Sequence, residues 1–174
     1  DLAPETAGAV AHAMLAGRRA GDITVASIHW GGNWGYDVGR DERGFAHRLV
    51  EAGAADIVHG HSSHHPKGME RHRGKLILYG CGDFLNDYEG IGGHEAFRPW
   101  LSLMVFVSVD PADGRTTDLQ MVPLAMRRLR LVRASPEDRD WLARQLEKMA
   151  PGEPTPLRIE GERLVLAPGG DEVS

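Results

Sequence analysis

The sequence predicts a mixed α/β fold, in which a strand–helix–strand unit is followed by an antiparallel hairpin. Two short segments rich in β-branched residues, 23–29 and 56–59, flank an amphipathic segment, 41–52, which is the pattern of a parallel crossover. Further along the chain, segments 100–110 and 117–124 are joined by Pro-Ala-Asp-Gly, a turn sequence that favours a hairpin. With 174 residues and a hydrophobic fraction of 41%, the chain can build a core around these elements.

Three further elements are predicted from local patterns. Residues 5–20 are rich in alanine and predict a first helix that stops at a glycine. Segment 75–80 is apolar and predicts a third strand beside the crossover unit. Ser135, followed by Pro136 and two acidic residues, is the typical beginning of a helix.

Composition limits the classes of protein to consider. The net charge of -5 disfavours a nucleic acid as the main partner, because phosphate backbones attract basic proteins. Cys81 is the single cysteine, which excludes an internal disulfide. No apolar run reaches the roughly 18 residues of a membrane span. We expect residues 1–150 to form a portion of one domain, and residues 151–174 to form a linker, a small hairpin over 158–167 and a flexible tail.

Histidines concentrate where the predicted strands end. His29 ends the first strand of the crossover, while His59, His61, His64 and His65 lie at or after the end of the second. Because the carboxyl ends of neighbouring parallel strands meet at one edge of a sheet, we expect these side chains to converge. Neutral imidazoles bind Zn, Mn and Fe, so the pattern predicts a metal or phosphate site. Not all five can be ligands, and the choice among them stays open.

Other side chains near this edge offer further chemistry. Asp83 follows the third strand and is the best acidic candidate for a metal ligand, or for a hydrogen-bond partner of one. Glu70 either contacts substrate or lies on the surface, and both interpretations stay open. A nucleophile from Ser62, Ser63 or Cys81 is the weaker alternative, because the sequence contains no Gly-x-Ser-x-Gly elbow.

Three motifs in order, SIHWGGNWGY, DIVHGHSSHHPKGME and GKLILYGCGDF, resemble the CapA proteins of capsule and poly-γ-glutamate synthesis. Those proteins resemble calcineurin-like metallophosphoesterases, which implies part of a β-sandwich flanked by helices and a hydrolase with divalent ions, two of Mn, Fe or Zn. The resemblance implies metal ligands at His29, His61 and His64, with Asp83 in or beside the ligand set. It also implies that His61 or His64 transfers a proton during the reaction.

The same resemblance implies an anionic polymer or a phosphate-containing molecule as substrate, with Asn33, Trp34 and Glu70 as its contacts. It implies a location at the membrane or in the cell envelope. The alternative function is a non-catalytic scaffold or binding component of a membrane-associated polyglutamate synthesis complex.

Three features depart from the family pattern. Ser62 and Ser63 stand where the family has His-Pro, and Asp83 stands where the family has Asn. The early Asp, Gly-Asp and Asn-His elements of the two-metal site have no counterpart before His29. We therefore expect an N-terminal portion, or another chain, to complete the site and to cover the exposed edge of the sheet.

Overall fold

The computed structural model describes residues 1–87, 91–151 and 156–166. Within these ranges, three α-helices and nine strands form a mixed α/β protein with two sheets, as predicted. A short 3-10 helix spans Glu95–Phe97. The other elements, in chain order, are α1 Pro4–Gly17, β1 Val25–His29, α2 Arg40–Glu51, β2 Ile57–His61, β3 Met69–His72, β4 Lys75–Leu78, β5 Leu101–Val109, β6 Thr116–Arg127, β7 Arg130–Arg133, α3 Pro136–Lys148, β8 Leu157–Glu160 and β9 Arg163–Leu166.

The first sheet has the strand order β1-β2-β4-β3. Strands β1, β2 and β4 are parallel, so the predicted strand–helix–strand crossover is confirmed. Strand β3 was not predicted, because its sequence Met-Glu-Arg-His has no apolar alternation. It pairs antiparallel with β4 through a turn in which Arg73 and Gly74 have φ of 51° and 78°. Positive φ at both positions is typical of a two-residue hairpin turn.

The second sheet is antiparallel and has the order β5-β6-β9-β8, with β7 paired to β6. The predicted hairpin is confirmed as β5 and β6, and β8 and β9 form the small hairpin predicted over 158–167. Strand β9 also pairs with β6, so this hairpin extends the second sheet. Residues 152–155 of the predicted linker and 167–174 of the predicted tail lie outside the described residues, and the division at residue 150 stays a prediction.

Helix α3 begins as its sequence predicts. Ser135 is the N-cap, and its Oγ accepts a hydrogen bond from the backbone N–H of Asp138 at 3.1 Å. This contact satisfies one of the N–H groups that a helix leaves without a partner at its beginning.

Two hydrophobic clusters hold the layers together. The first packs α1 and α2 against one face of the first sheet, through residues such as Phe45, Leu49 and Val58. The second joins the opposite face, at Leu76 and Leu78, to the second sheet and to α3. This second cluster covers β4 but stops short of β1 and β2.

The face of β1 that points away from the helices is therefore uncovered, as is the neighbouring carboxyl end of β2. Val25 is 53% exposed there, and His29 and His61 are also exposed. Strand β1 pairs with a single strand among the described residues, as does β5, where Phe106 is 55% exposed. Apolar side chains on unpaired edges of this kind are typical of surfaces that another segment covers.

Candidate metal centre

Strand register places His29 directly opposite His61. The two residues are Cα partners in the parallel pairing of β1 with β2, so their side chains lie on the same face of the sheet. Their Nδ1 atoms are 3.3 Å apart. Two ligands on a tetrahedral ion, each bonded at about 2.0–2.1 Å, lie roughly 3.3 Å apart. The spacing of this pair therefore fits two positions of a metal site.

His59 lies two residues before His61 on β2, so its side chain is on the same face of the sheet as this pair. Its Nδ1 is 3.3 Å from the Oγ of Ser27, and its ring centroid is 5.7 Å from that of His61. Burial, together with the neighbouring His61, holds the pKa of His59 below its usual value. A neutral imidazole suits both ligation and hydrogen bonding to Ser27.

His64 and Asp83 form a second pair. The Nδ1 of His64 is 2.7 Å from the Oδ2 of Asp83, which also accepts a hydrogen bond from Asn86 at 3.3 Å. Carboxylates that accept a hydrogen bond from one ring nitrogen orient the other nitrogen toward a metal. This contact suits Asp83 to the role of orienting partner, and it makes Nε2 the nitrogen with which His64 would bind an ion.

Asn33 connects the loop after β1 with the loop after β2. Its backbone carbonyl accepts a hydrogen bond from the N–H of His64 at 3.1 Å, and its Oδ1 accepts one from Ser62 at 3.4 Å. Ser62 has φ of 136°, a conformation that a non-glycine residue adopts only at a cost of about 1–3 kcal/mol. The loop that carries His64 is thus held in a strained conformation beside Asn33. A substrate contact by Asn33 stays a prediction.

Trp34 stands beside His64 in an aromatic cluster. Its ring is stacked on that of His94 at 3.8 Å with an interplanar angle of 6°, and its centroid is 5.4 Å from that of His64. Phe97 closes the cluster at 5.6 Å from Trp34. Neither His94 nor Phe97 was predicted as a site residue, because only the fold brings their loop to the end of β2. Substrate binding by Trp34 stays a prediction as well.

His65 points into the protein rather than toward this pair of histidines. It is 0% exposed, and its Nδ1 donates to the carbonyl of Pro66 at 3.0 Å. The rings of Tyr36 and Phe97 lie against it at 4.9 Å and 4.8 Å. Burial lowers the pKa of His65, so its imidazole is a neutral group of the interior.

Glu70 lies elsewhere than the sequence suggested. It is 5% exposed on β3, and β4 separates its strand from β2. Arg43, His47 and Tyr79 surround its carboxylate at 2.9 Å, 2.7 Å and 2.5 Å. Although burial acts to raise it, these hydrogen bonds hold the pKa of Glu70 below its usual value. The interpretation of Glu70 as an exposed surface residue is therefore wrong, and a substrate contact by this carboxylate stays a prediction.

The alternative of a nucleophile has no matching geometry. Ser63 is buried, and its Oγ donates to the backbone carbonyl of His65 at 2.8 Å rather than to an imidazole. Burial raises the pKa of the Cys81 thiol to about 12, which leaves almost no thiolate at neutral pH. Cys81 is therefore a small core residue, in contact with the second hydrophobic cluster.

The structure brings the predicted ligands together in two pairs, His29 with His61 and His64 with Asp83. Within the described ranges, they do not form a group of three whose donor atoms all lie within 4.8 Å of one another. Among the described residues, the group that meets this condition lies on α2 and β3 and consists of His47, Glu51 and His72.

Parallel strands that end in paired histidines, backed by helices and packed on an antiparallel sheet, define an α/β protein with a histidine-rich site at a strand edge. The family model of the bacterial capsule synthesis protein PGA_cap matches residues 2–88, which include both pairs of predicted ligands. The chain therefore belongs to this capsule synthesis family, which is the CapA family of the resemblance.

Curated relatives agree with this assignment. The chain is 53% identical over 146 residues to the "probable polyglutamine synthesis accessory protein" of Mycobacterium tuberculosis, in strains CDC 1551 and H37Rv. That match covers 84% of this chain and 38% of the relative. A match to the "PGA biosynthesis protein CapA" of Bacillus subtilis has 34% identity over 70 residues, covering 40% of this chain and 18% of the relative. The chain thus spans well under half the length of these relatives. No helix of the described residues has the length and apolar character needed to cross a membrane.

Proposed function

We propose that this protein is a metal-dependent, phosphoesterase-like hydrolase of capsule or poly-γ-glutamate metabolism. The observation that carries the proposal is the 3.3 Å spacing of His29 and His61 at the ends of adjacent parallel strands. His64 is anchored at the same edge by Asp83 at 2.7 Å. Such an edge is where open α/β sheets bind their ligands.

Within this site, each residue has a distinct task. His29 and His61 would bind the ion, and His64 would join them through Nε2 while Asp83 holds Nδ1. A divalent ion held there, Mn, Fe or Zn, would polarise a phosphoryl or carbonyl oxygen and would lower the pKa of bound water. An imidazole at this edge, from His61 or His64, can pass a proton to the leaving group. Asn33 and Trp34 border the same edge and would contact the anionic substrate.

The site needs further donors, because a two-metal centre uses more ligands than these two pairs supply. We propose that they come from an N-terminal portion of the protein or from another chain, seated on the uncovered face of β1 and the carboxyl end of β2. The 53% exposure of Val25 and the greater length of the relatives support this arrangement.

Metal analysis of the protein as its host produces it tests the proposal. Bound metal should fall when His29, His61 or His64 is replaced by alanine. The matched control is His12→Ala, because His12 is an exposed histidine of α1. Hydrolysis of bis-p-nitrophenyl phosphate and shortening of poly-γ-glutamate should fall in parallel. A native protein without metal, or metal content that is the same in all four variants, would contradict the proposal of a metal-dependent hydrolase.

A non-catalytic role is the second candidate, and the printed name of the mycobacterial relative, "accessory protein", favours it. In that case the protein would act as a scaffold or binding component of a polyglutamate synthesis complex at the cell envelope. The two candidates differ in one measurement. A scaffold would leave the amount and the length of the polymer in cells unchanged when His61→Ala and His64→Ala are combined, whereas loss of a hydrolase would change the length of the polymer.

A further inference from the structure

A second group of potential metal ligands lies on the helix side of the first sheet. His47 and Glu51 are one turn apart on α2, and His72 ends β3 opposite them. One donor atom from each of the three lies within 4.8 Å of the other two. Both histidine side chains are 22% exposed and that of Glu51 is 41% exposed, so an ion can reach them from solvent.

The three side chains already contact one another. The Nε2 of His72 is 3.0 Å from the Oε1 of Glu51. The rings of His47 and His72 are stacked at 3.7 Å with an interplanar angle of 7°.

Glu70 provides the carboxylate hydrogen bond that commonly fixes the orientation of a metal-binding histidine. Its Oε1 is 2.7 Å from the Nε2 of His47, and Arg43 and Tyr79 hold the same carboxylate in place. A carboxylate at this position accepts the Nε2–H of His47 and leaves Nδ1 as the ring nitrogen whose lone pair is available to an ion. Since Glu70 is buried and held on three sides, the ring of His47 is fixed in advance.

We propose that His47, Glu51 and His72 bind one first-row transition ion of the Zn²⁺ class, with Glu70 orienting His47. Two imidazoles and a carboxylate form a donor set that suits Zn²⁺ and leaves a fourth position for water. The ion would join α2 to the edge strand β3. This centre lies beyond the proposed hydrolytic function and does not rest on it.

Binding requires a small local adjustment. The donor atoms lie within 4.8 Å of one another, whereas ligands on a tetrahedral ion are spaced by roughly 3.3 Å. In-plane lone pairs of stacked rings also run side by side rather than toward one point. The ring of His72, at the end of an outer strand, must therefore rotate toward His47. Arg73, which is 64% exposed and 3.7 Å from Glu51, can move away into solvent.

The two candidate centres cannot share an ion, because they lie on opposite faces of the first sheet. In the register of β3 and β4, His72 pairs with Lys75 and lies on the side of Glu70, Ile77 and the helices. His29 and His61 lie on the opposite face, which they share with Ile57 and Leu76. Strand β4 also separates β3 from β2. Each centre can therefore be removed without the other.

The test starts from a variant of the natural protein in which His29→Ala and His61→Ala remove the first centre. After dialysis against a chelator, it is titrated with ZnCl2 by calorimetry and with CoCl2 by visible absorption. We expect one ion per chain and a tetrahedral Co²⁺ spectrum. Adding His72→Ala should lower the affinity at least tenfold, and adding Glu51→Gln should also weaken it. Adding Glu70→Gln should weaken it by about 10–100-fold through loss of orientation.

The matched control adds His12→Ala, which removes an exposed histidine outside the group and should leave the titration unchanged. Circular dichroism of each metal-free variant verifies that it is folded. Binding that is equally tight in the folded His72→Ala and His12→Ala proteins would overturn the proposal, as would the absence of any Zn²⁺ binding in the starting protein. Because the first centre is already removed, neither outcome bears on the hydrolase.

Discussion

Removing the hydroxyl of Tyr79 tests whether the buried cluster around Glu70 stabilises the fold. Tyr79 is 1% exposed, and its hydroxyl donates to Glu70 at 2.5 Å. Burial, together with the adjacent carboxylate, raises the pKa of Tyr79, so the phenol stays a donor. Replacement by phenylalanine removes this donor and keeps the ring, which is stacked on Trp30 at 5.7 Å.

The expected loss follows from the charge of the acceptor. A hydrogen bond to an ionised group contributes about 1.5–3 kcal/mol to the free energy of unfolding. Glu70 keeps its contacts with Arg43 and His47 in the variant, so the carboxylate is not left without partners. We therefore expect a loss of about 2 kcal/mol, which lowers the ratio of folded to unfolded protein by roughly thirtyfold.

Urea denaturation followed by tryptophan fluorescence measures this loss as a lower midpoint with an unchanged slope. A double-mutant cycle with Glu70→Gln isolates the pair, and the two substitutions should be strongly non-additive. A loss below about 0.5 kcal/mol, or additive effects, would refute the reasoning. Metal binding at the proposed His29–His61 site should be the same in Tyr79→Phe and the parent protein.

Three further predictions follow from single contacts. Gly60→Ala should destabilise the protein by about 1–3 kcal/mol, because the added Cβ would overlap the buried indole of Trp30. Gly8→Ala, with open space around it on α1, should instead stabilise the protein by up to about 1 kcal/mol. Thermal unfolding of both variants measures this contrast. Cys81, which is 6% exposed, should resist Ellman's reagent in the native protein and react in urea. Rapid reaction of Cys81 in the native protein would show that the core around this residue opens. Ser135→Ala should cost about 1 kcal/mol in urea denaturation through loss of the N-cap, and an unchanged midpoint would show that the cap contributes nothing.

Local patterns in the sequence predicted most of the elements correctly. The segment around β2 has β-branched residues, Ser135 precedes a proline and acidic residues, and Pro-Ala-Asp-Gly joins β5 to β6. Each of these signals acts over a few residues, so the sequence alone is enough to recognise it. Strand β3 was missed because its pairing with β4, rather than its own charged sequence, makes it a strand.

The sequence by itself determined that histidines follow the strand ends and that the chain has the motifs of a capsule synthesis family. Only the tertiary structure decided which of them meet. Register sets His29 opposite His61, and the turn after β2 directs His65 into the interior, away from that pair. Glu70 became a buried partner of Arg43, His47 and Tyr79 because β3 lies under α2. The physical reason is that side chains alternate between the faces of a strand, so one residue of register decides whether a group meets solvent or the core.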